Sequence, residues 1–244
     1  MSMHYYSENE ISSIILSVLE ERGAAAKRDG SAGQKDPAKQ ENQSPRSAPE
    51  THVSLPKGQI PVEISARHVH LTKEAVECLF GEGHRLTCKR ELSQPGEFLA
   101  EERVKIITAK NDFANVAVLG PERSAVQVEI SLTDSKALGL KAPVNLSGDL
   151  NGAESVVLLG PKGIYRAEGS TIVAKSHIHM TPKDAAEFGV HDGQVVRVKL
   201  QSARPATLDD VAIRVKDSFK LAMHVDIDEG NAAGVTGDTT GIIC

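Results

Sequence analysis

Short runs of alternating apolar and polar residues, separated by Gly, Pro and Asp, fill the chain from about residue 58 onward. Examples are VKIITA, NVAVL, VQVEISL, SVVLLG, QVVRVKL and VAIRVK. A period of two is typical of half-buried β-strands, and many short strands bounded by turn residues are typical of sandwiches and barrels. Two short helices are predicted, after Thr72 and Thr181, the second with Pro182 at the favoured first position. The pattern therefore predicts a mainly β fold with few helices.

The N-terminal part of the chain has a different pattern. An apolar stripe at helical spacing predicts an amphipathic helix over residues 1–23. Residues 24–52 contain no Val, Ile, Leu, Met or aromatic residue, and so little apolar surface predicts a flexible linker over residues 24–57. A helix tethered in this way suits docking onto another protein; the alternative is a helix that folds back on its own domain.

Composition argues against several classes of function. The formal net charge of −5, without a dense basic run, argues against a nucleic-acid-binding surface. No run of about 18 apolar residues is present, so no membrane span is expected. The cysteines Cys78, Cys88 and Cys244 lack CxxC spacing and do not make a disulfide framework, which predicts an intracellular protein.

Two histidine doublets stand in matching contexts. RHVHLT contains His68 and His70, and SHIHMT contains His177 and His179. In each motif a threonine that can cap a helix follows the second histidine by two residues. Residues i and i+2 of a strand project from the same face, so each doublet can present two imidazoles to one metal ion. For each histidine the alternative is a strand-end residue that is only exposed or hydrogen-bonded.

Two further metal ligands follow from the same reasoning. A weaker third copy, EISLT, places Glu129 where the doublets have their first histidine, on the polar face of its strand. In LAMHVDID the alternation puts His224 opposite the apolar residues. Histidines and a glutamate, without thiolate, suit zinc or another borderline divalent ion, and two ions with three ligands each is the economical division. Such sites would keep a coordination position open, as catalytic sites do.

Arg123 is the candidate for anion binding. It follows a Gly-Pro turn and lies six residues before Glu129. Its planar guanidinium group matches an oxyanion such as phosphate, although a surface arginine without a ligand is the alternative. The glycines form neither a GxGxxG nor a P-loop motif, so a nucleotide-binding fold is not indicated.

Four motifs in order, ISARHVHL, LGPERSAVQVEIS, KSHIHMT and HVDIDEGNA, give about residues 58–242 a resemblance to a known family. The chain resembles the PduL-type phosphate propanoyltransferases, which are phosphotransacylases of bacterial microcompartments. The resemblance implies two β-barrel domains capped by short α-helices, with a two-zinc site between them. It also implies that residues 58–66 join residues 175–244 in a first barrel, and that residues 67–174 form a second.

The resemblance assigns roles to individual residues. The two zinc sites would have three ligands each, His68, His70 and Glu129 in one and His177, His179 and His224 in the other. Arg123 would bind phosphate and take part in catalysis. The implied coenzyme A contacts are Ile64, Ser65, Ala66, Lys110 and Asn231. Family members often have a basic residue where this chain has Ala117, which puts a coenzyme A phosphate contact there in doubt.

The N-terminal helix and linker resemble an encapsulation peptide. This resemblance implies that residues 1–23 bind shell or cargo proteins and that the protein lies in the lumen of a bacterial microcompartment. A homodimer follows from the same family analogy.

These features together predict a phosphate acyltransferase that reversibly converts an acyl-CoA, propanoyl-CoA by family analogy, and phosphate to acyl phosphate and CoA. A zinc-dependent hydrolase is one alternative, but metallo-β-lactamase-like enzymes require Asp-His two residues after the doublet, where this chain has Leu71, Thr72 and Lys73. A non-enzymatic, zinc-stabilised microcompartment adaptor is the other alternative, and it predicts closed four-ligand sites without turnover.

Overall fold

A computed structural model describes residues 58–244; the predicted helix over residues 1–23 and the linker over residues 24–57 lie outside this range. In chain order the elements are β1 (Ile60–Ser65), β2 (His68–His70), α1 (Lys73–Phe80), β3 (Cys88–Glu91), β4 (Phe98–Ile107), β5 (Asp112–Gly120), β6 (Gln127–Ile130), α2 (Leu132–Leu138), β7 (Val144–Asn145), β8 (Glu154–Leu159), β9 (Ile164–Ala174), β10 (His177–Met180), α3 (Pro182–Phe188), β11 (Val195–Gln201), β12 (Ala206–Val215), β13 (Ala222–Asp226), α4 (Ile227–Ala233) and β14 (Thr240–Ile243).

Six strands close into a first barrel. Their order around the ring is β1, β13, β10, β12, β11 and β14, and antiparallel pairing of β14 with β1 completes it. The alternation seen in the sequence fills the interior, as in β11, where every second residue is buried. The buried apolar side chains of this core include Ile60, Val62, Ile178, Met180, Val198, Leu200, Val211, Ile213, Met223 and Val225.

A second ring is formed by β4, β5, β2, β6, β9 and β8. It closes because β8 pairs with both β9 and β4. Outside the ring, β3 extends the sheet from β4 and β7 extends it from β9. The core of this second barrel includes Val69, Leu71, Val104, Ile106, Val118, Val128, Ile130, Val156 and Leu158. The predicted fold class, a mainly β protein with two barrels and short helices, is confirmed.

Both predicted helices are present. Thr72 caps α1 by accepting a hydrogen bond from the Ala75 amide, and Thr181 caps α3 in a reciprocal capping box, with Pro182 in the first turn. The two remaining helices, α2 and α4, were not predicted, because each begins at a capping residue inside a run that continues to alternate. Within residues 58–244, no helix has the length and apolar character needed to cross a membrane.

The two halves of the chain repeat one topology and exchange a strand. β2 pairs in parallel with β5 and antiparallel with β6, and β10 pairs in the same way with β12 and β13. β1 directly precedes β2 but belongs to the first barrel, whereas β9 directly precedes β10 but belongs to the second. Because each connection spans only two residues, both His-x-His strands start where the chain passes between the barrels.

The EISLT segment, read in the sequence as a third copy of the doublet motif, is not structurally equivalent to the doublet strands. An alignment of EISLT with HVHLT would place the helix cap at Thr133, but the cap of α2 is Ser131, two residues after Glu129. The cap of α4, Asp226, also lies two residues after a candidate ligand, His224. The Glu129 segment is therefore the structural counterpart of the His224 segment, because both pair antiparallel with a histidine doublet.

Replacement of Ile178 by Ala tests the role of the doublet strand in the core. Ile178 is fully buried between two histidines that face the opposite side of β10. We expect Ile178→Ala to lower the free energy of unfolding by about 2–5 kcal/mol in chemical denaturation. Val195→Ala, at an exposed position of β11 in the same barrel, should change it by less than about 0.5 kcal/mol. Equal effects of the two substitutions would contradict this packing.

Candidate active site

The pairing of β2 with β6 assembles a His-His-Glu cluster. His68 lies directly opposite Glu129 in the ladder, and His70 projects from the same face of β2 as His68. The Nε2 atoms of the two histidines are 3.2 Å apart. The Glu129 carboxylate oxygens lie 3.5 Å from His68 Nε2 and 3.8 Å from His70 Nε2. All three side chains are buried.

The pairing of β10 with β13 assembles a three-histidine cluster in the equivalent place. His177 lies opposite His224 in the ladder, and their ring centroids are 5.2 Å apart. His179 lies 4.6 Å from His177 and 5.0 Å from His224 by the same measure. Both ring nitrogens of His179 and Nε2 of His224 are buried without a hydrogen-bond partner among the described residues. Unpaired buried nitrogens are costly unless a ligand satisfies them.

Backbone carbonyls orient the first histidine of each doublet. Nδ1 of His68 lies 2.8 Å from the Ala66 carbonyl oxygen, and Nδ1 of His177 lies 2.9 Å from that of Lys175. A carbonyl can only accept, so each Nδ1 carries the proton and donates it. Each Nε2 is then the nitrogen available to a metal ion in its cluster, which is the arrangement that metal-binding histidines use.

The clusters fit two metal ions. In each, one ligand atom per residue lies within 4.8 Å of the others. Ligands of a tetrahedral zinc at bond lengths near 2 Å are about 3.3 Å apart, close to the spacings in the His-His-Glu cluster. Imidazole and carboxylate without thiolate suit zinc, and three protein ligands leave one position for a water or a substrate.

Burial keeps most of these imidazoles uncharged. Desolvation, reinforced by the His224 charge, lowers the pKa of His177 to about 4. Desolvation also lowers the pKa of His224 to about 4 and that of His179 to about 2. The pKa of His70 lies well below its usual value for the same reason, with added repulsion from His68 and Arg123. Neutral imidazoles can offer lone pairs to a cation at pH 7.

The His-His-Glu cluster also contains an ion pair. Burial opposes charge on both His68 and Glu129, but their mutual attraction outweighs it. The pKa of His68 is consequently raised and the pKa of Glu129 is lowered. A divalent cation bound here would replace the proton of His68 as the counter-charge of the carboxylate.

Arg123 is connected to Glu129 by a chain of hydrogen bonds. One guanidinium nitrogen lies 3.2 Å from Ser147 Oγ, which in turn accepts from the Gln127 amide at 2.8 Å. The same Gln127 amide donates to Glu129 at 2.5 Å. A second guanidinium nitrogen of Arg123 pairs with Glu97 at 3.1 Å. These contacts fix Arg123 beside the His-His-Glu cluster.

A single cavity of about 640 Å³ joins the two clusters. This size is within the usual range for small-molecule sites. Of the predicted coenzyme A contacts, Ile64, Ser65 and Ala66 line the cavity, and so does Ala117. Lys110 lies outside it and donates through Nζ to the Lys136 carbonyl oxygen. Asn231 is exposed on α4 and is also outside the lining, so both remain predictions from the resemblance alone.

Sequence reasoning missed some residues of the site. Glu63, Arg214 and Phe219 line the cavity, and Gln127 orients the Glu129 carboxylate. The sequence did contain a signal for Arg214. In VAIRVK the alternation puts Val211 and Ile213 on the buried face of the strand and Arg214 on the opposite face. Its proximity to the histidines depends on a parallel strand pair that local alternation does not reveal.

Comparisons with known proteins agree with this geometry. A family model described as phosphate propanoyltransferase matches residues 61–236. The phosphate propanoyltransferase of Leptotrichia buccalis is 53% identical over 75% of this chain and 86% of its own length. The chain belongs to the phosphate propanoyltransferase family.

Other members of the phosphate propanoyltransferase family have comparable identity to this chain. The protein of that name from Clostridioides difficile is 53% identical over 74% of this chain and 86% of its own length. The one from Thermotoga maritima is 50% identical over 75% of this chain and 88% of its own length. The family recognised from the four motifs is confirmed, and with it the enzyme class, a phosphotransacylase.

The depressed histidine pKa values predict how metal-free protein responds to acid. Between about pH 4 and pH 6.5 the unfolded chain binds more protons at His177 and His224 than the folded chain does, so stability rises with pH over this window. Lowering the pH from 7 to 5 should therefore reduce the free energy of unfolding by a few kcal/mol, on the order expected for pKa shifts of this size. Urea denaturation of chelator-treated protein at the two pH values measures this change in the free energy of unfolding.

The control for this acid response is the double variant His177→Asn, His224→Asn. It lacks both titrating groups, so its loss of stability between pH 7 and pH 5 should be clearly smaller than that of the wild type. The same loss in both proteins would show that other groups cause the acid sensitivity.

Proposed function

We propose that this chain transfers an acyl group reversibly between coenzyme A and inorganic phosphate at a two-zinc site. The observation that carries the proposal is that two three-ligand clusters line one cavity, and that Arg123 lies in the same cavity, positioned by Glu97 and Ser147. Propanoyl is the acyl group indicated by the names of the relatives. Open three-ligand clusters on a cavity also favour catalysis over an adaptor, whose metal sites would be closed.

The zinc ligands would be His68, His70 and Glu129 for one ion, and the three-histidine cluster for the other. Zinc at such a position supplies Lewis acidity, which polarises a thioester carbonyl, offsets negative charge on its oxygen and favours departure of the thiolate. The chain prepares both sites in advance. Burial keeps His70 and the three-histidine cluster neutral, backbone carbonyls aim Nε2 of each first histidine, and Gln127 orients the carboxylate.

Arg123 would hold the phosphate for attack. In the acyl-CoA direction a phosphate oxygen forms a bond to the thioester carbon, the carbon–sulfur bond breaks, and coenzyme A leaves as the thiolate. The contacts of Arg123 with Glu97 and Ser147 restrict its guanidinium group before substrate arrives. A pre-positioned charged donor of this kind lowers the barrier because it needs no reorganisation during the reaction.

Coenzyme A would lie along the part of the cavity lined by Ile64, Ser65 and Ala66. Ala66 also supplies the carbonyl that orients His68, so this segment would bring the thioester next to the His-His-Glu cluster. Contacts to Lys110 and Asn231 are proposed from the family resemblance.

Removal of metal should abolish turnover. We expect purified protein to contain about two zinc ions per chain by elemental analysis, and phosphate-dependent release of free thiol from propanoyl-CoA to fall by at least about two orders of magnitude after chelation. Added zinc should restore it.

His179→Ala is the informative variant for this metal assignment, and it should lose about one metal equivalent. The matched control is His84→Ala, whose imidazole pairs with Glu102 away from the cavity and which should keep both ions. Full activity in metal-free protein would refute the two-zinc site. Thiol release that proceeds equally without phosphate would indicate a hydrolase instead.

Arg123→Ala should reduce turnover by about 10²- to 10³-fold, since it removes a positioned charged donor. Steady-state kinetics of thiol release at saturating phosphate measures this effect. Arg166→Ala, which removes an exposed arginine paired with Glu168 away from the cavity, serves as the control and should leave the rate unchanged. Near wild-type turnover in Arg123→Ala would exclude the assignment.

Residues 1–23 are proposed to direct the protein into the lumen of a bacterial microcompartment by binding shell or cargo proteins, and the chain is proposed to form a homodimer. The amphipathic stripe and the linker composition support the first proposal. Co-purification of the full chain, but not of a chain lacking residues 1–23, with shells would test it. Light scattering of the purified protein would test the dimer, and a monomer mass would refute it.

A further inference from the structure

Arg214 is one of five basic side chains that line the cavity, with Arg67, Arg90, Arg123 and Lys216, and none of the roles above uses it. It lies on β12 directly beside His179, in register across the parallel pair with β10. Residues paired in this way project from the same face, so the guanidinium group and the imidazole share one side of the sheet. Arg214 is half-buried and lines the same cavity as both metal-binding clusters.

The Arg214 side chain has no counter-charge in contact. Within residues 58–244 its guanidinium group makes no hydrogen bond and no ion pair, whereas Arg123 contacts both Glu97 and Ser147. Its neighbour is Phe219, whose ring centroid lies 5.9 Å away and which stacks on His179 at 4.1 Å. Burial and the positive charge of Arg123 lower the pKa of Arg214. A half-buried cation without a partner is expected where a ligand supplies the anion.

The two barrels carry different residues at the position equivalent to Arg214. In the second barrel the residue beside the second histidine of the doublet is Leu119, paired with His70. The counterpart of Arg123 in the first barrel is Lys216, because both amides donate to the residue that follows a doublet. Lys216 is exposed. Arg214 is therefore a half-buried cation in register with a histidine of the three-histidine cluster, at a position where the other barrel has an apolar residue.

We propose that Arg214 binds the phosphate substrate from the side opposite Arg123, so that two guanidinium groups hold the phosphoryl group between the histidine clusters. The proposal rests on the proposed function and adds a positioning residue to it. Charge supports phosphate as the ligand. Arg123 is already paired with Glu97, so its net attraction for a phosphate dianion is reduced, whereas Arg214 forms no ion pair and acidic groups such as Glu129 and Asp192 act on it only from a distance.

The test compares Arg214→Leu, Arg214→Lys and wild-type protein, each purified with its metal. Leucine is the residue that the repeat itself carries at the equivalent position, Leu119. The matched control is Arg197→Leu on the adjacent β11, where the arginine is exposed and pairs with Asp209 outside the cavity. Three quantities are measured for each protein: the Kd of inorganic phosphate by calorimetry, the KM values for phosphate and propanoyl-CoA, and the zinc content.

We expect Arg214→Leu to raise the Kd and KM of phosphate by about 10- to 100-fold, the scale of one charged hydrogen bond. The KM of propanoyl-CoA should stay within about twofold, the zinc content should not change, and Arg214→Lys should recover part of the phosphate affinity because it keeps the charge. Arg197→Leu should match the wild type in every measurement.

Three results would overturn the proposal. Unchanged phosphate affinity in Arg214→Leu would show that the residue does not contact phosphate. An equal rise in the KM of propanoyl-CoA would assign Arg214 to coenzyme A, and a loss of zinc would show that it only supports the histidines. A different result would refute the proposed function: wild-type protein that binds phosphate but releases no thiol from propanoyl-CoA. In that case the calorimetric comparison of phosphate affinity would still decide the role of Arg214.

Discussion

Cross-strand register is the constraint on which the site depends. In each barrel an antiparallel pair places a histidine directly opposite a third ligand, His68 opposite Glu129 and His177 opposite His224. A shift of one residue in either ladder would turn the third ligand toward the hydrophobic core. The register is held because the alternate residues of the same strands, among them Val69 and Ile178, are fully buried. Core packing and ligand geometry are therefore set by the same pairing.

The exchange of β1 and β9 brings the two clusters to one cavity. Only two residues separate each doublet strand from a strand of the opposite barrel, so neither barrel can move far without displacing a ligand strand. The segment between β1 and β2 also serves the site directly, because the Ala66 carbonyl orients His68. A connection that joins two barrels thus also holds a candidate metal ligand, which links the topology of the fold to its chemistry.

The repeat supplies similar scaffolds with different electrostatics. The His-His-Glu cluster carries a buried carboxylate and is supported by Gln127 and Ser147. The three-histidine cluster has only neutral donors and lies beside Arg214 and Phe219. A negatively charged substrate placed between them meets a less negative environment on the second side.

Local sequence determined the strand content, the two threonine-capped helices and the shared face of each His-x-His doublet, because these depend on residues two to four positions apart. It also indicated the polar faces that carry Glu129 and His224. It did not reveal α2 and α4, whose caps stand inside alternating runs, or the true counterpart of the EISLT segment. Only tertiary structure decided how Arg214 meets His179 and why Lys110 lies outside the cavity, since strand pairs between distant parts of the chain set those distances.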